Sequence, residues 1–198
     1  MKIKKILIYG SSSLAEKSVG VLKDEYDLVG HIPSENAVIR GSIDLPVVDE
    51  NVDHDIKLSL QYNKKILNIE KAFNVHTGLL PMYGGVDILY HTLESNFAYE
   101  QGLTFHKMSR DFDYGNIISK TTYPVLLSDT VLDLYKRLDS IFPYFVLSSL
   151  KLLETLEEDD VDECYAEKPR IFKRGKVKEG DETAYSNTLL KLRELYER

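Results

Sequence analysis

The stretch IKKILIYGSSSLAEKSVGVLK, residues 3–23, decides the fold class. Its first part, Ile3–Tyr9, is apolar and β-branched, as a buried strand requires, and it ends at Gly10. Ser11–Lys23 then has helical period, and the apolar residues that would face a sheet are Leu14, Val19 and Leu22. A strand followed by a tight turn and a helix opens a parallel α/β sheet.

Further elements continue this alternation along the chain. The predicted strands are Asp27–Ile32, Ile56–Gln61 and Ala72–His76, and Gly84-Gly85 then breaks the chain before a helix over Val86–Leu93. After Gly102 the pattern predicts two neighbouring strands, Leu103–Met108 and Ile117–Val125, around the polar loop Ser109–Gly115, and a helix over Thr130–Leu156 interrupted at Pro143. The fold class is therefore α/β, with a Rossmann-like, mostly parallel twisted sheet flanked by helices.

The length of 198 residues suits one α/β domain with a short appendage. We place the main domain at residues 1–156 and a C-terminal extension at residues 157–198. The extension contains an acidic run, Glu157–Glu163, a basic strand-like segment, Lys168–Lys178, and a leucine-rich helix, Glu182–Arg198. The acidic run is expected to be a solvated connection, and the leucines make a homodimer contact possible.

Composition and charge exclude several classes of protein. The net charge of −7 supplies no basic face for nucleic acid, so we expect no nucleic-acid partner. The single cysteine, Cys164, excludes an intrachain disulfide and a thiolate metal cluster. The apolar run near the amino terminus is too short for a membrane helix and lacks a signal-peptide cleavage site, which predicts a cytoplasmic protein without a membrane partner.

Polar side chains at the end of the strand AFNVH are the first candidates for chemistry. Asn74 and His76 project to the same side of that strand, at the sheet edge where open α/β folds bind ligands. An amide donor can polarise a carbonyl and an imidazole can move a proton, as acyl transfer to an amine requires. Asp113, in the loop MSRDFDYG, could set the tautomer of His76. Taken singly, each residue also has a structural explanation as a cap, a surface histidine or a turn aspartate.

Three linked motifs carry a resemblance to a known family. FNVHTGLLPMYGG (residues 73–85), GLTFHKMSRDFDYGNII (102–118) and DTVLDLYKRL (129–138) stand in the same order as in the folate-dependent formyltransferases. That family includes methionyl-tRNA formyltransferase, glycinamide ribonucleotide formyltransferase and the sugar-nucleotide N-formyltransferases, and the chain most resembles the last group. The resemblance spans about residues 59–138, and GSSSLAEKSV is similar to the opening turn and helix of the family.

The resemblance implies an enzyme with a role for each motif residue. Asn74 would bind the formyl oxygen, His76 would transfer a proton, Asp113 would hold the histidine, and His106 is a possible accessory residue. The formyl donor would be 10-formyltetrahydrofolate, held largely by backbone groups of two loops. The residues assigned to the donor are Lys65, Leu67, Leu80, Met108, Arg110 and Phe112. Those assigned to the acceptor are Gly10, Ser11, Tyr83 and Gly84, and no metal is expected because His31, His54 and His91 lack partners at ligand spacing.

Departures from the family pattern lie on the acceptor side. Thr77 and Gly78 replace the usual Pro and Ser, Gly84 stands where arginine is frequent, and Asp87 lies near a position often held by proline. The stretch between Val48 and Ile56 is also very short where relatives carry another helix, which predicts a trimmed first half of the fold.

The acceptor amine therefore has several candidates. We expect a small molecule, a nucleotide-linked 4-amino-4,6-dideoxy sugar, because KPRIFKRGKVK (168–178) resembles the tails of sugar N-formyltransferases. This basic segment could contact a diphosphate or a partner subunit, or it could be an edge strand protected by lysines. The alternatives are glycinamide ribonucleotide, methionyl-tRNA, and a non-catalytic Rossmann-like nucleotide-binding module. The last alternative lacks the pattern G-x-G-x-x-G.

Overall fold

The computed structural model describes residues 2–34, 41–62, 64–94, 101–126, 128–163 and 169–173. Its strands are β1 Lys5–Tyr9, β2 Asp27–Ile32, β3 Ile56–Leu60, β4 Ala72–His76, β5 Gly84–Gly85, β6 Gly102–Lys107, β7 Ile117–Thr122 and β8 Ile171–Phe172. Its helices are α1 Ser13–Leu22, α2 Ile88–Glu94, α3 Val131–Thr155 and α4 Glu158–Glu163. The predicted α/β class is confirmed.

A six-stranded sheet in the order β2-β1-β3-β4-β6-β7 forms the centre of the molecule. The first four strands are parallel, and β6 and β7 are antiparallel to their neighbours. Alternation along β1 sends Ile6 and Ile8 to the face that α1 and α3 cover, and Leu7 and Tyr9 to the opposite face. The same alternation in β4 places Phe73 and Val75 with the helices. Asn74 and His76 therefore lie on the opposite face.

That opposite face is covered mainly by loops. Residues 41–55, between β2 and β3, contain no helix, in agreement with the predicted trimming of the first half. Val48 and Val52 from this loop pack with Leu7, Tyr9 and Ile66 in a small second core. Because loops cover this face, their backbone N–H and C=O groups and polar side chains lie next to Asn74 and His76.

Helix α3 is continuous, so the interruption predicted at Pro143 is wrong. A capping box starts the helix: the Thr130 side chain accepts from the Asp133 amide, and the Asp133 carboxylate accepts from the Thr130 amide. Pro143 removes one intrahelical hydrogen bond, but Phe142, Val146 and Leu150 around it are fully buried against the sheet. Burial of this apolar stripe stabilises the helix across the proline.

Two local predictions, one in the extension and one after β4, differ from the structure. The acidic run is exposed over residues 157–160, as expected of a solvated connection, but Glu158–Glu163 forms helix α4, with Val161 buried in the main core. Gly84-Gly85, expected as a chain break, is strand β5 paired with β8. The helix predicted over 182–198 and most of the basic segment lie outside the described residues. The division at residue 156 stays a prediction.

No helix in the described part of the chain combines the length and the apolar character that crossing a bilayer requires.

Substitutions of two aromatic residues of α3, one buried and one exposed, test the assigned core. We expect Phe142→Ala to lower the free energy of unfolding by about 3–5 kcal/mol, because it leaves a cavity in a close-packed interior. Tyr144→Ala is the matched control, since Tyr144 is 66% exposed and its loss should cost less than about 0.5 kcal/mol. Urea unfolding measures both, and equal losses would contradict the assigned core.

Candidate active site

The centre of the candidate site is the pairing of β4 with β6. These strands are antiparallel, with Asn74 opposite His106 and His76 opposite Thr104. Directly opposite residues on antiparallel strands point to the same face, so the four side chains form one polar group. Asn74 donates from Nδ2 to the Nε2 atom of His106 across 3.1 Å. The prediction that Asn74 and His76 share one side of the strand is therefore confirmed.

His106 is buried in its neutral form. It is 1% exposed, and burial, together with the charge that a protonated His76 adds nearby, lowers the pKa of His106 to about 4. Its Nδ1 atom donates to the carbonyl oxygen of Lys107 at 3.1 Å. Nε2 therefore carries the lone pair that accepts from Asn74. This arrangement fixes the orientation of the Asn74 amide, whose second N–H remains available to a ligand.

The His76 ring has an oxygen atom near each nitrogen. Nε2 donates to the carbonyl oxygen of Tyr83 at 2.7 Å, and Nδ1 lies 3.4 Å from Oδ1 of Asp113. Both oxygens can only accept, and the contact to Tyr83 is the shorter one, so the proton of the neutral ring is assigned to Nε2. The ring nitrogen left to accept a proton is Nδ1, and it faces the carboxylate. His76 is 6% exposed, so this geometry is shielded from bulk water.

Asp113 is aimed at His76 by the turn that contains it. Asp113 has a φ of 51°, in the left-handed region that Asp tolerates better than most residues. The turn closes where the Ser109 amide donates to the Tyr114 carbonyl at 3.1 Å. Gly115 has a φ of 147°, and a Cβ there would lie 1.9 Å from the Lys107 carbonyl oxygen. The Asp-x-Gly pattern is thus required by the backbone of this turn.

The loop after His76 explains one departure from the family pattern. A Cβ on Gly78 would lie 2.8 Å from Nε2 of His76 and 2.5 Å from the Tyr83 carbonyl oxygen. Only glycine lets the chain pass this close to the bond between His76 and Tyr83. Thr104 fixes the same loop, because its hydroxyl donates to the Gly78 carbonyl at 2.7 Å and accepts from the Leu80 amide at 3.0 Å.

A cleft opens beside Asn74 and His106, between residues 64–66 and the loop 108–114. Residues of the cleft that were assigned from the sequence are Lys65, Asn74, His106, Met108, Arg110, Phe112 and Asp113. The lining also contains Lys64, Ile66, Ser109 and Asp111, which belong to the two loops, 64–67 and 108–113, expected to hold the donor. Leu67, which is 84% exposed, and Leu80, which is 2% exposed, lie outside the lining. Residues not foreseen are Ser59, Tyr62 and Tyr114, and of these Ser59 could have been found from the alternation of β3.

The residues assigned to the acceptor lie in two places. Gly10 and Ser11 are at the end of β1, two strands from β4 and therefore ~10 Å away. Their polar groups hold the chain after β2: the Gly10 amide donates to Ile32, and the Ser11 hydroxyl accepts from the Ser34 amide at 2.8 Å. Tyr83 and Gly84 lie next to His76, and Gly84 pairs with β8. Their binding roles stay predictions.

The titration of His106 provides a test of this geometry. Between about pH 4 and 6.5 the unfolded chain binds a proton at this histidine that the folded chain excludes. We therefore expect the free energy of unfolding to fall as the pH decreases through this window. His106→Gln keeps an acceptor for Asn74 but does not titrate, so it should show a shallower slope in urea unfolding between pH 7.5 and 4.5.

His54→Gln is the control for the loss of one histidine, since His54 bonds only locally to Val52. Slopes that coincide for the wild type and His106→Gln would contradict the buried neutral state.

Comparisons with known proteins show which family the site region is similar to. Residues 63–144, which contain Asn74, His76 and Asp113, match the family model described as Formyl transferase. A methionyl-tRNA formyltransferase of Wolbachia pipientis subsp. Culex pipiens (strain wPip) is 30% identical over 115 residues, which are 56% of this chain and 38% of that protein. The chain thus spans less than half the length of this curated relative.

Solved structures confirm the fold class. An N-formyltransferase from Helicobacter canadensis, solved with folinic acid and dTDP-3-aminofucose, has a TM-score of 0.69 and 22% identity over 89% of this chain and 73% of that one. A phosphoribosylglycinamide formyltransferase from Anaplasma phagocytophilum has a TM-score of 0.65 and 21% identity over 88% of this chain and 100% of that one. Residues 63–144 are thus similar to the formyl transferase family, and the fold of the chain is similar to that of solved formyltransferases.

Proposed function

We propose that the protein is an N-formyltransferase that moves a formyl group from 10-formyltetrahydrofolate to a primary amine. The observation that carries the proposal is the group Asn74, His76 and Asp113 beside a cleft. Within that group are an oriented amide donor, a ring nitrogen able to accept a proton, and a carboxylate facing that nitrogen. These are the three parts that acyl transfer to an amine requires.

The cleft suits the flat ring system of a folate. Ile66 and Met108 offer apolar contacts on its two sides, and loop backbone at 64–66 and 108–114 offers N–H and C=O groups to ring nitrogens. Asn74 and His106 form part of the same lining, so a formyl group could lie against the Asn74 amide. When bound, 10-formyltetrahydrofolate would supply a formyl carbonyl that an amine can attack.

Each residue of the group then has a defined task. The free N–H of Asn74 donates to the formyl oxygen while negative charge develops on it. Nδ1 of His76 accepts the proton that the attacking amine loses, because Nε2 is held by Tyr83. Asp113 stabilises the resulting imidazolium from 3.4 Å. The tight packing around His76 excludes water, which strengthens both interactions.

For the acceptor we propose a nucleotide-linked 4-amino-4,6-dideoxy sugar. Two neighbours in fold were solved with sugar nucleotides, the Helicobacter canadensis enzyme with dTDP-3-aminofucose and one from Anoxybacillus kamchatkensis with a UDP-linked sugar. The net charge of −7 opposes a large polyanion as acceptor. Methionyl-tRNA is the second candidate, because curated relatives such as the Wolbachia protein are methionyl-tRNA formyltransferases.

A panel of acceptors tests the choice. The purified protein is incubated with 10-formyltetrahydrofolate and, separately, with dTDP-, GDP- and UDP-linked 4-amino sugars, glycinamide ribonucleotide and charged initiator methionyl-tRNA. Mass spectrometry should detect the gain of one formyl group on an amino sugar. Formylation of methionyl-tRNA alone, or of glycinamide ribonucleotide alone, would refute the sugar acceptor while supporting the transfer chemistry.

Removing the imidazole tests the chemistry itself. We expect His76→Ala to lower kcat by about 10²–10⁴-fold, because proton transfer from the amine is lost. Donor binding, measured by isothermal titration calorimetry, should change little, since His76 is not part of the cleft lining. His54→Ala, outside the site, is the matched control. Turnover of His76→Ala at the level of that control would refute the assigned role.

A further inference from the structure

A short segment near the end of the described chain is bound to the active-site loop. This segment, residues 169–173, is called the strap, and residues 81–86 are called the β5 loop. Three backbone hydrogen bonds join them: Arg170 amide to Pro81 carbonyl at 2.9 Å, Gly84 amide to Arg170 carbonyl at 2.9 Å, and Val86 amide to Phe172 carbonyl at 3.1 Å. The strap thus adds a parallel strand to the edge of the β5 loop.

Phe172 anchors the strap through its ring. The ring stacks on Tyr83 at 6.0 Å and packs against His91 at 4.7 Å between centroids. The guanidinium of Arg170 lies 4.8 Å from the centre of the same ring. His91 also donates from Nε2 to the Lys173 carbonyl at 3.1 Å. The strap is therefore held by a side-chain contact as well as by backbone pairing.

The β5 loop contacts both partners of the proton-transfer pair. The Tyr83 carbonyl accepts from Nε2 of His76 at 2.7 Å, and the Gly85 amide donates to Oδ2 of Asp113 at 2.7 Å. Between these two contacts is Gly84, which pairs with Ile171 of the strap. The same three residues thus bind the strap and orient His76 and Asp113.

The close approach of the strap accounts for the glycine pair. A Cβ on Gly85 would lie 1.9 Å from the Phe172 carbonyl oxygen, and Gly85 has a φ of 103°. A Cβ on Gly84 would lie 2.9 Å from Cδ1 of Ile171. A side chain at Gly85 would therefore displace the strap, whereas one at Gly84 would require the Ile171 side chain to move.

We propose that the strap is a positioning element of the active site and that Phe172 is its positioning residue. The inference deepens, and rests on, the proposed formyl transfer at His76. Phe172 acts through Tyr83 and Gly85. Its ring stacks on Tyr83 and keeps the β5 loop in place. In that position the Tyr83 carbonyl accepts the hydrogen bond from Nε2 of His76, and the Gly85 amide orients the Asp113 carboxylate. Fixing a catalytic group within a fraction of an ångström matters because small displacements cost large factors in rate.

Kinetics of strap variants test the proposal. Phe172→Ala should lower kcat by about 10–100-fold and shift the acidic limb of the pH profile, because the tautomer of His76 is no longer held. The KM for the folate donor should stay within about threefold, since no strap residue lines the cleft. Phe172→Tyr keeps an aromatic ring and should restore kcat to within about threefold of wild type.

Tyr144→Ala is the matched control. It also removes an aromatic ring, but Tyr144 is 66% exposed on α3 and belongs neither to the strap nor to the β5 loop. It should leave kcat and the pH profile unchanged. Equal losses in Phe172→Ala and Tyr144→Ala, or a loss in Phe172→Ala without a change in the pH profile, would overturn the positioning role.

Nitrogen chemical shifts of His76 provide a readout that does not need turnover. In ¹⁵N-labelled protein Nε2 should have the shift of a protonated nitrogen, and in Phe172→Ala it should move toward the average of the two tautomers. The spectrum of His76→Ala assigns the signal, and thermal unfolding confirms that each variant is folded. Phe172→Leu, which retains apolar bulk, should give a smaller movement.

An unchanged His76 signal in folded Phe172→Ala would refute the proposal even if the wild type proves active. Absence of formyl transfer by the wild type toward every acceptor would instead refute the proposed function, and the nitrogen shifts would still decide whether the strap holds the ring.

Discussion

The His76 ring is held between two oxygen atoms, and the rest of the site depends on that constraint. The Tyr83 carbonyl at one ring nitrogen and the Asp113 carboxylate at the other come from separate loops, so both loops must be placed correctly at the same time. Both oxygens can only accept a hydrogen bond, and the shorter contact is to Tyr83, so the proton of the neutral ring is assigned to Nε2, with Nδ1 toward the carboxylate. The geometry of the loops thereby decides the direction in which a proton can move.

The central sheet positions these residues in two ways. Side chains along β4 alternate between the two faces of the sheet, and β6 runs antiparallel to β4. Odd-numbered residues of β4 enter the helix-covered core, while Asn74 and His76 face the loops. The antiparallel strand β6 then places His106 opposite Asn74, where burial keeps the imidazole neutral and able to accept from the amide. The segment 41–55 before β3, which contains no helix, leaves this arrangement intact, since α1 and α3 cover the other face.

Support for the site also comes from the part of the chain that the sequence marked as an extension. The strap pairs with the β5 loop through backbone hydrogen bonds and through the Phe172 ring. The β5 loop in turn contacts His76 and Asp113, so a segment beyond α4 is connected to the site through one loop. The close approach of Phe172 explains the glycine at position 85, where a Cβ would lie 1.9 Å from the Phe172 carbonyl oxygen. Gly78, one of the departures on the acceptor side, likewise makes room for a close backbone contact with the Tyr83 carbonyl.

The sequence by itself determined the α/β class, the bounds of the main strands to within two or three residues, and the identity of the polar group at Asn74, His76 and Asp113. These follow from period and turn chemistry, which act over a few residues, and from motifs whose order is visible in the chain. Only the tertiary structure decided that Gly84-Gly85 is a strand, that α3 continues through Pro143, and that the Tyr83 carbonyl accepts a hydrogen bond from His76. The partner of Gly85 is Phe172, far along the chain, and the stabilisation of α3 comes from burial against the sheet. Such contacts join residues that are distant in sequence, so no local pattern encodes them.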